Sequence, residues 1–146
     1  MTSSRLVSVY LDANAIIQSI ETDGAPLAML MSHVERGGVS LFTSELSLAE
    51  VLVRPLKEGQ DQLVELYERL LAPQERLSVL PISRAILRSS AEIRAMLGNK
   101  GPDAIHVATA RATSCTLFVS SDTRLRLPDG MTRMEPAGVA QWEPSA

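Results

Sequence analysis

The chain has few of the residues that several function classes require. Cysteine occurs once, at Cys115, so no intrachain disulfide is available and a reducing, cytoplasmic setting is expected. As a lone thiol, Cys115 reads as a small buried hydrophobe. Aromatic residues make up 3% of the 146 residues, which argues against the stacking platform that many single-strand nucleic-acid binders use. No apolar run approaches the ~18 residues needed to cross a bilayer, so no membrane association is expected. The opening MTSSRLVSVYLDAN has no basic stretch leading into a long apolar region and no small-residue cleavage site, so no secretory signal is expected. Net charge is −3, which does not advertise a nucleic-acid binder. Much of that negative charge belongs to four acids discussed below, and the rest of the surface is close to neutral.

What is present is aliphatic. Hydrophobic residues make up 45% of the chain, enough for one packed core in one domain spanning residues 1–146. There is no repeat, low-complexity segment or linker. Short β-rich runs alternate with helical stretches. Leu6–Leu11 reads as a buried strand, with Val7, Val9 and Leu11 on one face and Tyr10 on the other. Helices are expected over Ala13–Ile20 and Pro26–Glu35, and a second strand over Val39–Thr43 after the Gly37-Gly38 break. Ser44 reads as the N-cap of a helix running to about Val53 and stopped near Pro55. A helix follows over Asp61–Leu71, then a strand over Leu77–Leu80. Ser83 reads as the cap of a helix reaching about Leu97. After the loop Asn99-Lys100-Gly101, Pro102 opens a helix to about Thr113. Strands are expected over Thr116–Ser120 and Met131–Met134, with an irregular tail from about residue 136. This alternation predicts right-handed crossovers and an α/β fold with a mostly parallel sheet covered on both faces.

Open parallel sheets carry their sites beyond the carboxyl ends of the strands. Asp12 directly follows the first strand, and Asp122 lies two residues past the fourth. Asp103 falls in the first turn of a helix. Glu50 lies within a helix among Leu46, Leu48, Ala49, Val51, Leu52 and Val53, where an unpartnered charge would be disfavoured by several kcal/mol. It therefore calls for a cation, a proton or a metal. Each acid also has an ordinary role: Asp12 as an N-cap, Asp103 as a complement to the helix dipole, Asp122 as a turn residue, Glu50 as the partner of Arg54 at i+4. Gathered in one pocket, four carboxylates would raise each other's pKa, and a hard divalent cation, Mg²⁺ or Mn²⁺, would relieve this. Phosphodiester hydrolysis suits such a site. His106 is expected to be packed or hydrogen-bonded rather than a ligand. Trp142 is expected to cover a core edge. Among the basic residues Arg54, Lys57, Lys100, Arg124 and Arg126, Lys100 and Arg124 adjoin site acids and are the best candidates for phosphate contacts, whereas Arg126 reads as a solvated charge.

Four segments, in order, carry a resemblance: Val9-Tyr10-Leu11-Asp12-Ala13-Asn14, Thr43-Ser44-Glu45-Leu46-Ser47-Leu48-Ala49-Glu50-Val51, Asp103-Ala104-Ile105-His106-Val107-Ala108-Thr109-Ala110 and Phe118-Val119-Ser120-Ser121-Asp122-Thr123-Arg124-Leu125. With this order and spacing the chain resembles the PIN-domain ribonucleases, and among them the VapC-like toxins of toxin–antitoxin pairs. The resemblance implies a three-layer α/β/α sandwich with strand order 3-2-1-4-5. It also implies a Mg²⁺/Mn²⁺ site lined by Asp12, Glu50, Asp103 and Asp122 that cleaves RNA. Asn14 matches a polar residue that braces the site, and Ser120 and Ser121 match polar positions beside the fourth acid. A homodimer and a small antitoxin partner are expected on the same ground. The early helices, with Ile16, Ile17, Ile20, Leu27, Met29 and Leu30, would then carry more apolar surface than the core needs. A housekeeping nuclease of this fold, or a non-catalytic binding module, remains the alternative. An RNA cleavage assay or the neighbouring gene would separate them.

Overall fold

A computed structural model describes residues 6–144. The first five residues, part of the opening read as lacking a secretory signal, and the last two of the tail lie outside the described residues. The strands are β1 (Val7–Leu11), β2 (Val39–Ser44), β3 (Ser78–Leu80), β4 (Leu117–Val119) and β5 (Thr132–Met134). The helices are α1 (Ala13–Glu21), α2 (Ala25–Glu35), α3 (Glu45–Lys57), α4 (Asp61–Leu70), α5 (Arg84–Leu97) and α6 (Gly101–Ala112). The strands form one all-parallel sheet in the order β3-β2-β1-β4-β5. Strand β1 is central, paired to β2 from Val7↔Val39 to Tyr10↔Phe42 and to β4 from Val9↔Leu117 to Leu11↔Val119.

The period-two alternation of β1 divides the interior in two. Val9 and Leu11 face a core shared with α1, α2, α3 and α4, where Ile16, Leu30, Val51 and Tyr67 are fully or almost fully enclosed. Tyr10 and Phe118 face the opposite core, closed by Ile86 and Ile93 of α5 and by Ala104, Val107 and Ala108 of α6. Helices therefore cover both faces of the sheet, as a buried parallel sheet requires.

Local chemistry sets the helix ends. Asp12, Ser44 and Ser83 each accept a backbone N–H of the first turn, capping α1, α3 and α5. Helix α5 stops at Gly98, whose φ of +77° is a left-handed conformation suited to glycine. The guanidinium of Arg126 donates to the Leu97 carbonyl at that end, and the Arg126 backbone exchanges two hydrogen bonds with the Asn99 side chain. Arg126 is thus tied to the α5 terminus rather than simply solvated.

Three expectations are revised. Helix α3 does not stop near Pro55 but runs through it to Lys57, with Pro55 buried on the helix. Its ring denies the helix one N–H donor, and the helix closes one turn later through Glu58 and Gln60. The tail past Glu135, expected to be irregular, forms a 3-10 helix over Pro136–Gln141, and Trp142 packs on the first core with its ring edge-on to His33 at 5.6 Å. Of the apolar side chains expected to be spare on the early helices, Ile16, Leu27 and Leu30 are buried, whereas Ile17, Ile20 and Met29 pack against the core and stay partly exposed. Among the described residues, the large apolar side chains that are most exposed are elsewhere, at Leu6, Val53, Leu56, Leu66, Leu87 and Met96. Among the described residues, no helix is long and apolar enough to cross a membrane.

Candidate metal centre and its hydrogen-bond frame

A pocket of about 310 Å³ opens at the carboxyl edge of the sheet, lined by Asp12, Asn14, Glu50, Asp103 and His106 with Ala13, Ile17 and Val53. A larger depression of about 840 Å³ runs along α4, but its acids, Asp61 and Glu65, are exposed and Glu65 is paired with Arg69 at 2.9 Å. The smaller pocket holds the unusual chemistry.

Asp12 arrives there because β1 ends at Leu11 and α1 begins at Ala13, so the residue between must turn the chain. Its Oδ1 accepts the Ala15 amide at 2.9 Å, and its side chain is almost completely enclosed. The Leu11 carbonyl just before it accepts the Thr43 hydroxyl at 2.7 Å, and Thr43 in turn contacts Ser47 Oγ at 2.7 Å. Burial pushes the Asp12 carboxyl above the ordinary carboxylate range; the Ser120 hydroxyl, the Ala15 amide and His106 pull the other way, and Asp103 adds to the rise. Asp103 lies in the first turn of α6, whose start is set by Pro102. Burial also raises its pKa, and the charges of Asp122 and Glu50 raise it further, whereas His106 and Lys100 oppose this.

Glu50 projects from the middle of α3 with its side chain 35% exposed. Its partner is not Arg54, which pairs with Glu58 at 3.2 Å. Instead His106 Nε2 lies 2.6 Å from Glu50 Oε1, and His106 Nδ1 lies 2.6 Å from the Tyr10 hydroxyl. The imidazole is enclosed at 3% exposure. His106 is thus hydrogen-bonded, as the sequence suggests, but its partner is a candidate site acid. Tyr10, Thr43 and Ser47 complete the frame around the site acids, and sequence reasoning passed over all three. The one available signal was the alternation that turns Tyr10 away from Val9 and Leu11.

Asp122 does not line the pocket, although among the neighbouring charges it raises the Asp103 pKa most. Its Oδ1 accepts the Arg124 amide at 2.9 Å, and its own amide donates to Ser120 Oγ at 3.1 Å. Ser120 is buried beside Asp12, while Asn14, Ser121, Lys100 and Arg124 are exposed. The donors around the pocket are hard oxygens, which suit Mg²⁺ or Mn²⁺ rather than a softer metal. The two buried or half-buried acids with raised pKa are the kind of groups a cation would relieve. Among the described residues, no three acidic, histidine or cysteine side chains converge closely enough to form a ready-made ligand cluster. The carboxylates ring a space rather than a point: their donor chemistry fits a hard cation, while their side chains do not close on one position.

The pKa shifts carry a sign for stability. An acid whose pKa is higher folded than unfolded stabilises the fold when protonated, and that contribution is lost as pH rises through the folded pKa. In cation-free buffer the difference in Tm between the wild type and an Asp12→Asn variant should therefore move against the wild type as pH rises from the ordinary value of 3.8 toward neutrality. Thermal melts of both proteins across that range check it. A difference that moves in favour of the wild type would contradict the burial of the Asp12 charge.

A family model described as PIN domain matches residues 9–130. None of the curated proteins matches the chain. Solved structures similar to it include VapBC2 from Rickettsia felis bound to a DNA fragment from its promoter (TM-score 0.66, 16% identity, covering 88% of this chain and 98% of the other). Another is a toxin–antitoxin complex from Klebsiella pneumoniae (TM-score 0.61, 21% identity, covering 88% and 97%). A third is FitAcB from Neisseria gonorrhoeae (TM-score 0.59, 20% identity, covering 88% and 98%).

Proposed function

Because the chain belongs to the PIN-domain family, we propose that it is a Mg²⁺- or Mn²⁺-dependent endoribonuclease and the toxin of a toxin–antitoxin pair. What supports a phosphodiesterase above all is the pocket itself: Asp12, Glu50 and Asp103 face one space at the sheet edge, and burial raises the pKa of two of them. Carboxylates that share one pocket, two of them disfavoured by burial, are relieved by a counter-charge. Asp12, Glu50 and Asp103 would hold the cation, with Asp122 adding negative charge beside Asp103. When bound, such an ion polarises a phosphoryl oxygen and makes a bound water a better nucleophile.

The remaining roles fall to the chain's own groups. The Ala15 amide fixes the Asp12 carboxylate in one orientation. Ser120, enclosed next to Asp12, lends a hydroxyl to the same carboxylate. Asp103 sits where the unpaired N–H groups of α6 favour negative charge. Asn14 borders the pocket, and Ser121 adds a polar group beside Asp122. Lys100 and Arg124, both exposed next to site acids, offer positive charge to RNA phosphates. The toxin assignment draws on the similarity to solved toxin–antitoxin complexes, and with it come an antitoxin protein, a homodimer and the cytoplasm.

Incubating the protein with a pool of RNA and Mg²⁺ or Mn²⁺ should give cleavage that EDTA abolishes. No cleavage of any RNA, with EDTA making no difference, would sink the nuclease. Expression should arrest growth, and Asp12→Asn should relieve the arrest; cleavage without arrest would favour a housekeeping nuclease over a toxin.

A further inference from the structure

Glu50 differs from the other acids of the pocket in how it is held. Asp12 is fixed by the Ala15 amide at the end of a strand, and Asp122 caps its own turn. Glu50 sits mid-helix, where the backbone N–H groups are already engaged, on a long side chain with several rotatable bonds. Ordering such a side chain costs rotamer entropy, which a fixed hydrogen-bond partner must offset. Among the described residues its one hydrogen-bond partner is His106.

We propose that His106 is a positioning residue that sets the Glu50 carboxylate over the pocket, held in place from behind by the Tyr10 hydroxyl. The proposal rests on the reading of the pocket as a cation-dependent site. A carboxylate only accepts hydrogen bonds, so His106 Nε2 carries the proton at the 2.6 Å contact. The Tyr10 hydroxyl, 2.6 Å from Nδ1, can donate to a bare ring nitrogen or accept from a protonated one, so the contact holds in either state of the ring. Tyr10 is fully buried in the central strand, its ring 4.9 Å from that of Phe118. The line Tyr10–His106–Glu50 therefore runs from the rigid middle of the sheet, through α6, to the flexible acid on α3. Both ring nitrogens are engaged, and a flip of the imidazole would put ring carbons in their places and lose both contacts. His106 acts through Glu50 rather than as a ligand itself.

The test is Mn²⁺ binding alone, measured by calorimetry on the intact chain, alongside RNA cleavage. Removing a group that orients a metal-binding carboxylate weakens affinity by roughly 10–100-fold. His106→Ala should show a loss of that size and a lower kcat with KM for RNA little changed. His106→Gln, whose amide puts a donor near the place of Nε2, should recover most of it. Tyr10→Phe, which keeps the ring and removes only the hydroxyl, should fall between wild type and His106→Ala, and it serves even if His106→Ala folds poorly. Wild-type Mn²⁺ affinity in His106→Ala, or equal damage from Ala and Gln, would overturn the positioning role. If Mn²⁺ binding shows the predicted pattern but no RNA is cleaved, the ribonuclease reading falls and the positioning role stands. A wild type that takes up no Mn²⁺ overturns both.

Discussion

Asp12→Asn should lose RNA cleavage by at least about 10²–10³-fold, the scale of removing one charge-stabilising group from an enclosed site, while melting no lower than the wild type. The two halves of that expectation come from opposite properties of one side chain. As an N-cap, asparagine is as good as aspartate, so the hydrogen bond to the Ala15 amide survives and α1 keeps its start. As a charge, the carboxylate is disfavoured by its surroundings, which push its pKa up, and the amide removes that penalty. In cation-free buffer at neutral pH the variant should therefore match or exceed the wild-type Tm. Added Mg²⁺ or Mn²⁺ should reverse the order. A cation at 100 times its Kd stabilises the wild type by about 2.7 kcal/mol, or roughly 5–10 °C for a domain of this size, and the variant should gain little. A variant that melts several degrees lower without cation would make Asp12 a structural residue. One that cleaves RNA like the wild type would remove it from the site.

Phe118→Ala should be the most damaging change to the fold. Phe118 is fully buried at the centre of β4, paired in register with Tyr10 of β1 on one side and Arg133 of β5 on the other. Its ring lies on Tyr10 at 31° and closes the core beneath α5 and α6. Truncating a buried aromatic to alanine costs about 3–5 kcal/mol through lost burial and an unfilled cavity. Urea unfolding should show that loss as a lower midpoint at constant slope, with Tm down by roughly 10 °C or more. Leu87→Ala, on the outer face of α5 and half exposed, is the control and should shift stability by less than about 0.5 kcal/mol. A loss at Phe118 below about 1 kcal/mol would mean that this face of the sheet is not closed as described. Because Phe118 supports Tyr10, and Tyr10 holds His106, a cavity there should also loosen the pocket.

Much of the fold is legible in the residues. The alternation of apolar runs with capped amphipathic stretches places the five strands and most helix ends, since side-chain period and caps are properties of a few neighbouring residues. Strand order is not local, and here it came from the four ordered segments that resemble a family. Pro55 shows the limit of punctuation. A proline reads as a stop, yet α3 absorbs it because its buried face gains more from packing than the single missing hydrogen bond removes. The same applies to the tail, where the contact of Trp142 with the first core fixes a segment that has no periodic signal.

The candidate site divides in the same way. The strand-end rule puts Asp12 at the sheet edge, and the proline-led helix start puts Asp103 in its first turn; both follow from residues adjacent in the chain. The apolar neighbours of Glu50 announce that it needs a partner, and within its own helix the only candidate is Arg54. The actual partner is 56 residues away on α6. No periodicity reveals that pairing, because it depends on how α3 and α6 meet at the end of the sheet. Asp122, one of four equal acids in the sequence, is set apart by its turn, where the Arg124 amide takes its carboxylate. Local sequence is enough to say which groups are present and which ends of the elements they occupy. Tertiary structure alone decided which carboxylates share a pocket, how deeply each is dehydrated and what holds Glu50, because burial and long-range hydrogen bonds exist only once the layers have closed.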